Sequence, residues 1–404
     1  MNTRERPPLP EARLGDRSLF PDLSLAAYLN HAGVSPLSTP VRWAVEDLMA
    51  AYAWGGAQAT AHVLGLRGRL RDKLARLLGV GAGELALTGG ASHGVQAVAL
   101  SVPWRRGDRV VLFEGEFPAN ATPWQRAAEL FGLEVVFAPL GPFAESVEAG
   151  LAALEEILAG GARLVAVSAV QFRTGLVMPL AEMAALCARH GAEIFVDAIQ
   201  ALGAVPFDAA ALSLDYVASG AHKWLMGAEG AGVLYVRPER LRALRPAPVG
   251  WLSHEDPVSF LTEGPGHLRY DRPLRREATV FEGSSAAGLS QAALEASADL
   301  LLGLGVENIH RHVNRYLDLL EPALEARGFR SQRPKAAARR SCILSLTPPP
   351  GQASPRLRAA LLADGVAVAI PDGLLRFAPH WPNDAERELG HVLWAVDRAL
   401  AASR

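Results

Sequence analysis

The sequence predicts an α/β protein: a mainly parallel, seven-stranded sheet flanked by helices, followed by a smaller C-terminal α+β domain. Three observations predict it. Short, continuously apolar segments recur through the middle of the chain, amphipathic stretches separate most of them, and 404 residues exceed what one hydrophobic core usually serves. A strand that is apolar at every position has both faces buried, which marks a parallel sheet covered by helices on each side.

In chain order, the first twenty residues are rich in Pro and Arg and are expected to form an extended arm. Apolar strands are expected at 84–88, 109–113, 133–137, 164–168 and 193–197, with 216–219 and 232–236 continuing the series. Residues 151–158 and 180–190 carry helical periodicity between strands. No helical stretch fits between the last two strands, so that pair is where an antiparallel strand is expected. Residues 238–276 dissolve into Pro, Gly, Arg and His, the composition of a long functional surface or interface segment. Helical patterns resume at 289–302 and 309–325. A strand at 342–346, a helix at 355–364, strands at 366–370 and 374–377 and a last helix from Asp384 complete the smaller unit. The expected division is an arm at 1–24, a large α/β domain at 25–285 and a small α+β domain at 286–404.

Composition narrows the function. Lys plus Arg is 40 and Asp plus Glu is 42, a formal charge of −2, which argues against a general nucleic-acid or anionic-membrane binder. Two cysteines, Cys187 and Cys342, build neither a disulfide framework nor a Cys-based zinc site. No apolar run is long enough to span a membrane, and the first residues lack the apolar core of a signal peptide. A cytoplasmic protein is expected, with no nucleic-acid or membrane partner. Only Lys73, Lys223 and Lys335 are lysines, so 37 of the 40 basic residues are arginines. Arg supplies charge but does not lose its proton, whereas a Lys amine can be deprotonated and attack a carbonyl.

Three clusters carry chemistry. At 84–98 a strand, a Gly89-Gly90 turn and a helix follow one another, so free N–H groups at Gly90, Ala91 and Ser92 would face an anion. The stretch is neither a P-loop nor a dinucleotide fingerprint, and an ordinary structural turn reads equally well from it alone. At 194–208 Asp197 ends a buried strand, where ligands of α/β sheets bind. It reads as a metal ligand, a general base, the partner of a ring N–H, or a helix cap; no HExxH or second acid supports a metal, and none is expected. At 215–232 Lys223 lies among Gly, Ala, His and Trp with no acid before Glu229. Lys73 lies on a charged helix face and Lys335 in an exposed basic run, which leaves Lys223 as the lysine suited to Schiff-base chemistry. An anion cradle, a buried acid and such a lysine together describe a site for pyridoxal 5′-phosphate.

The segments Val196-Asp197-Ala198-Ile199-Gln200-Ala201-Leu202-Gly203 and Ser219-Gly220-Ala221-His222-Lys223-Trp224, with Tyr28-Leu-Asn-His-Ala-Gly-Val-Ser-Pro36 upstream, resemble the class V aminotransferase family of fold-type I pyridoxal-phosphate enzymes. That family includes cysteine desulfurases, kynureninases and isopenicillin-N-epimerase-like proteins, and the resemblance runs from Tyr28 to the end of the chain. It implies that Lys223 forms the Schiff base, that Asp197 pairs with the pyridine nitrogen and that Gln200 bonds the phenolic oxygen. Gly90, Ala91, Ser92, Ser219 and His222 would hold the phosphate, and Phe117 would stack on the ring where desulfurases carry His. Ser284, with Ser285 as the neighbouring candidate, would reach the phosphate of a partner subunit, which implies a homodimer with shared active sites. Arg376 would grip the substrate α-carboxylate. His31 would face the substrate from the N-terminal side, a structural hydrogen bond being an equal reading, and His254, His267, His380 and Trp251 are further pocket candidates.

The resemblance implies a class V aminotransferase acting on a small α-amino acid. The alternatives are a C–S or β-elimination lyase of the desulfurase or epimerase type that lacks a catalytic cysteine, and a catalytically inactive cofactor-binding protein. Residues 366–376 hold no cysteine where related desulfurases place their nucleophile, while Cys187 and Cys342 fall on apolar elements. A persulfide mechanism is therefore disfavoured. Residues 170–175 look like kynureninase, but the Ala-His-Lys-Trp motif looks like the desulfurase and epimerase side.

Overall fold

The computed structural model describes residues 6–284 and 287–402. A two-residue strand, β1 (Ala27–Tyr28), precedes seven strands of a single sheet: β2 (Leu85–Thr88), β3 (Arg109–Phe113), β4 (Glu134–Ala138), β5 (Leu164–Ser168), β6 (Glu193–Asp197), β7 (Tyr216–Gly220) and β8 (Gly232–Val236). Their order is β2-β8-β7-β6-β5-β3-β4. Strand β8 runs antiparallel to both of its neighbours, and the remaining pairings are parallel, as the missing helix between the last two strands led us to expect.

Alternation explains why these strands are apolar throughout. Val111, Phe113, Val165, Val167, Ile194, Val196, Val217 and Val233 enter one core, while Val110, Leu112, Leu164, Ala166, Phe195, Tyr216, Ala218 and Leu234 enter another on the opposite face. Helices Ala91–Ser101 and Thr122–Phe131 cover the second face, and Val147–Ala159 and Leu180–Arg189 help cover the first. The C-terminal ends of the parallel strands therefore open together at one edge, with Thr88, Ser168 and Asp197 at their tips.

The C-terminal unit contains β9 (Arg330–Ser331), β10 (Leu344–Thr347), β11 (Val366–Ala367) and β12 (Leu375–Phe377). Antiparallel β12-β10-β9 packs with helices Val306–Glu325, Ser354–Ala363 and Ala385–Ala401. Strand β11 is shorter than the sequence suggests because Ala369 turns to bridge Arg376, and its partner is β1 from the N-terminal segment. Residues 6–20 form no helix or strand, yet Leu19 and Phe20 are buried and the Phe20 ring packs on Trp381 at 5.4 Å. Helix Gly288–Leu304, which follows the expected domain boundary, packs against helices Thr39–Gly55 and Thr60–Leu78 of the N-terminal half.

One buried ion cluster ties these parts together. Glu282 accepts from Arg67, from Arg71 Nη2 at 2.8 Å and from the Leu87 N–H of β2 at 2.8 Å. Removing its carboxylate would strand two largely buried guanidiniums and a strand N–H without partners. Glu282→Ala is expected to lower stability by about 3–5 kcal/mol. Denaturant unfolding checks this as a fall in midpoint with an unchanged slope.

Candidate active site

Helix Ala91–Ser101 reaches the strand tips because glycine lets backbones touch. A Cβ on Gly94 would meet Ala218 Cβ at 2.6 Å, so the helix lies directly on β7. A Cβ on Gly232 would meet Ser219 O at 2.4 Å and Gly90 Cα at 2.7 Å, which seats the Gly89-Gly90 turn against β7 and β8. Gly90 caps the helix at φ 143°, with open space where its own side chain would be. The free N–H groups of the first turn thus face a cavity of about 670 Å³.

That cavity brings together Gly90, Ala91, Ser92, Phe117, Asp197, Gln200, His222, Lys223 and Arg376. Lys223 follows β7 and is only 9 % exposed. Burial lowers its ammonium to about 8; Asp197 opposes this by favouring the charged form, and Arg376 reinforces it. Asp197 ends β6, where Oδ1 accepts from Ile199 N–H at 2.9 Å. Burial raises its carboxyl above the usual carboxylate range, while the Ile199 N–H and then Lys223 draw it down. The His222 imidazole is lowered by burial and then by Lys223, which favours its neutral form. Gln200 Oε1 accepts from Trp224 Nε1 at 2.7 Å and its Nε2 donates to Ala32 O at 3.1 Å, leaving one amide hydrogen for a ligand.

Phe117 follows β3 and remains 43 % exposed. Its ring lies 5.3 Å from Lys223 Nζ and meets Phe172 edge to face at 5.4 Å. Arg376, on β12, donates to Phe172 O at 2.8 Å, and its buried Nε has no partner. Burial lowers its guanidinium to about 10. Among the described residues its guanidinium bonds one neutral carbonyl, so this largely buried cation is suited to receive an anion.

Other expected residues stand apart. Ser219 is fully buried behind the wall, and its Oγ has no hydrogen-bond partner. His31, 1 % exposed, lies behind Lys223 rather than on the substrate side as expected. Its Nδ1 pairs with Ser35 Oγ at 2.8 Å, and that hydroxyl donates to Lys223 O at 2.6 Å. His380 is also buried, with Nε2 against Trp224 O at 2.9 Å; His254 bonds Arg272 O and His267 pairs with Glu263. None of these histidines, nor half-exposed Trp251, lines the cavity. Ser284 lines a neighbouring cavity of about 510 Å³ that shares Gly89, His93 and Gly230 with the first. Ser285 lies outside the described residues. Both cysteines are buried and unpaired, with burial raising Cys187 to about 12 and Cys342 higher still.

Sequence reasoning missed Glu116. Its Oε1 accepts from Ser168 N–H at 2.7 Å and Gln171 Nε2 at 3.2 Å, and its Oε2 accepts from the Ser168 hydroxyl. It therefore fastens the segment carrying Phe117 to the segment carrying Phe172. Burial raises its carboxyl, hydrogen bonds from Ser168 lower it, and nearby Asp197 raises it. An acid just before the chosen aromatic was the available signal. Phe172 was a second omission, since its ring and its carbonyl both serve the cavity.

These residues fit pyridoxal phosphate. The glycine-walled helix start suits a phosphate, Asp197 suits a protonated ring nitrogen, and the unpaired Arg376 Nε suits a carboxylate. The profile of the family described as aminotransferase class-V matches residues 28–374. An uncharacterized aminotransferase of Bacillus subtilis, YcbU, is 27% identical over 93% of this chain and 95% of its own length. A cysteine desulfurase of Escherichia coli O8 is 30% identical, but the match spans 60% of this chain and 57% of that protein. A mutant of C-DES with glycine covalently linked to its pyridoxal-phosphate cofactor superposes with a TM-score of 0.85 at 25% identity, covering 95% of this chain and 99% of that one.

Only the neutral amine is nucleophilic, so the reactivity of Lys223 must climb as pH rises through about 8 and level off above it. Acylation of Lys223 in cofactor-free protein, followed by mass spectrometry at a series of pH values, checks this. A rate that keeps climbing about tenfold per unit beyond about pH 9 would contradict the lowered value.

Proposed function

The chain belongs to the class-V aminotransferase family, and from that premise we propose that it is a pyridoxal-phosphate-dependent aminotransferase that works through Lys223 on a small α-amino acid. The observation that carries this reading is the placement of Lys223, Asp197 and Arg376 on one cavity beneath the start of helix Ala91–Ser101. When bound, pyridoxal phosphate supplies an aldehyde for amines and a ring that takes up the electron pair of a carbanion.

The chain's own residues do the rest. Ala91 and Ser92 would present N–H groups to the phosphate, assisted by His222. Asp197 holds the proton on the ring nitrogen, and a cation beside it draws its raised carboxyl back towards the charged form. Phe117 covers the ring, and Gln200 offers its remaining amide hydrogen to the phenolic oxygen. Arg376 binds the substrate carboxylate, which fixes the substrate Cα near Lys223. The Lys223 amine, poised near neutrality, removes the Cα proton and returns one elsewhere.

A second reading is a C–S lyase, supported by the likeness to C-DES, which is described as a cystine C–S lyase, and requiring no nucleophilic thiol. Buried, raised Cys187 and Cys342 do not support a desulfurase that carries sulfur on cysteine. We place the protein in the cytoplasm, where unpaired cysteines persist. No helix among the described residues is long and apolar enough to cross a membrane. A homodimer is part of the proposal. Met49, Tyr52, Trp54 and Leu64 expose apolar surface on neighbouring helices, and Ser284 stands in the adjoining cavity.

Amino acids added to the holoenzyme without keto acid distinguish the readings. An aminotransferase converts its cofactor to the amine form and releases one keto acid per site; a lyase turns over continuously with the starting spectrum restored. Lys223→Ala is expected to abolish turnover under either reading. Arg376→Lys is expected to reduce kcat/KM roughly 10- to 100-fold, chiefly through KM, as the loss of one charge-assisted hydrogen bond. Sedimentation should give twice the mass of the chain, and a monomer that retains full activity would refute shared sites.

A further inference from the structure

Resting on the amino-acid reading above, we propose that the substrate side chain is uncharged and hydrocarbon-rich, and that the site selects against a second carboxylate. The charges on the cavity wall are few, and each has a place. Lys223, Asp197, His222 and Arg376 line it, and on the reading above the first three would be taken up by the cofactor and Arg376 by the α-carboxylate. His93 and Glu229 line the end that adjoins the neighbouring cavity, where Gly89, His93 and Gly230 belong to both.

The wall between Lys223 and Arg376 is apolar. Phe117 lies 5.3 Å from the lysine amine, Phe172 meets Phe117 at 5.4 Å, and the Phe172 carbonyl holds Arg376. Ala32, Val34, Ala369 and Pro371 line the same cavity. The nearby charged groups are already engaged. Glu116 is turned towards Ser168 and Gln171, and Arg173 pairs with Asp372 at 3.1 Å. Neither arginine 173 nor aspartate 372 lines the cavity.

A substrate anchored at both Lys223 and Arg376 must therefore place its side chain against aromatic and aliphatic surface. An aspartate or glutamate would bring a carboxylate there with no cation to receive it, and the desolvation of that charge is unfavourable. An alkyl or small thioether chain meets matching surface. The same wall acts on the keto acid, so the amino acceptor should also be a monocarboxylate.

The test uses the pyridoxal-phosphate-loaded protein and the absorption band of its cofactor. L-alanine, L-2-aminobutyrate, L-valine and L-methionine are titrated beside L-aspartate and L-glutamate, and apparent affinities are compared. At least one uncharged amino acid is expected to bind about 10-fold or more tightly than either acidic one. Acidic amino acids that bind equally well or better would overturn the proposal while leaving the amino-acid reading intact. If no amino acid perturbs the band, the amino-acid reading falls and the proposal with it. A Phe172→Arg variant, with its fold checked by circular dichroism, should shift the ratio towards aspartate by about 10-fold; the wild-type series decides the matter if that variant does not fold.

Discussion

The rest of the site depends on how Lys223 is buried. A lysine amine taken out of water loses much of its preference for the proton, and here one carboxylate, Asp197, is close enough to oppose that loss. Moving the amine further from Asp197 would leave it inert as a charge holder; pairing it more closely would hold it protonated. The sheet sets this balance, because β6 and β7 are neighbours that run parallel and end at the same edge. The lysine's own backbone is gripped from behind by Ser35, whose hydroxyl donates to Lys223 O and whose backbone N–H donates to His222 O. The buried histidines His31 and His380 complete that support, so two residues that read as substrate contacts act instead on the geometry of the lysine loop.

Close backbone approach is the second constraint. Gly94 against β7 and Gly232 against Gly90 bring a helix start within reach of the strand tips. Any side chain at those two positions would lift the helix and with it the donors that face the cavity. The anion site is thus built from absent atoms as much as from present ones.

Much of the fold was legible because both faces of the central sheet are buried. Segments such as 164–168, 193–197 and 232–236 have no polar face to blur their ends, and the observed strands coincide with the expected ones. Strand β4, at the sheet edge, is partly exposed, and its observed bounds lie one residue later than expected. Helices Thr39–Gly55 and Thr60–Leu78 were not delimited because their apolar faces pack on helix Gly288–Leu304, a partner far away in sequence. The residues that follow strand tips in short motifs came together on the cavity, Lys223, Asp197 and Gln200 among them. Glu116 escaped because its role is a set of hydrogen bonds to β5 that no local pattern announces. His31 was assigned to the wrong side of a wall for the same reason: periodicity tells which residues are near a site, but not which way they face.

The pairing of β1 with β11 has a further consequence. Ala27 and Tyr28 are made long before their partners Val366 and Ala367, and Asn30 bridges Ala378 later still. The early segment also carries Ser35, whose hydroxyl fixes the lysine loop. A nascent chain that has completed its central sheet therefore still lacks the clamp on its reactive amine. Final assembly of the site waits on synthesis of the segment that carries β11, so an aldehyde met earlier finds a lysine whose position is not yet set.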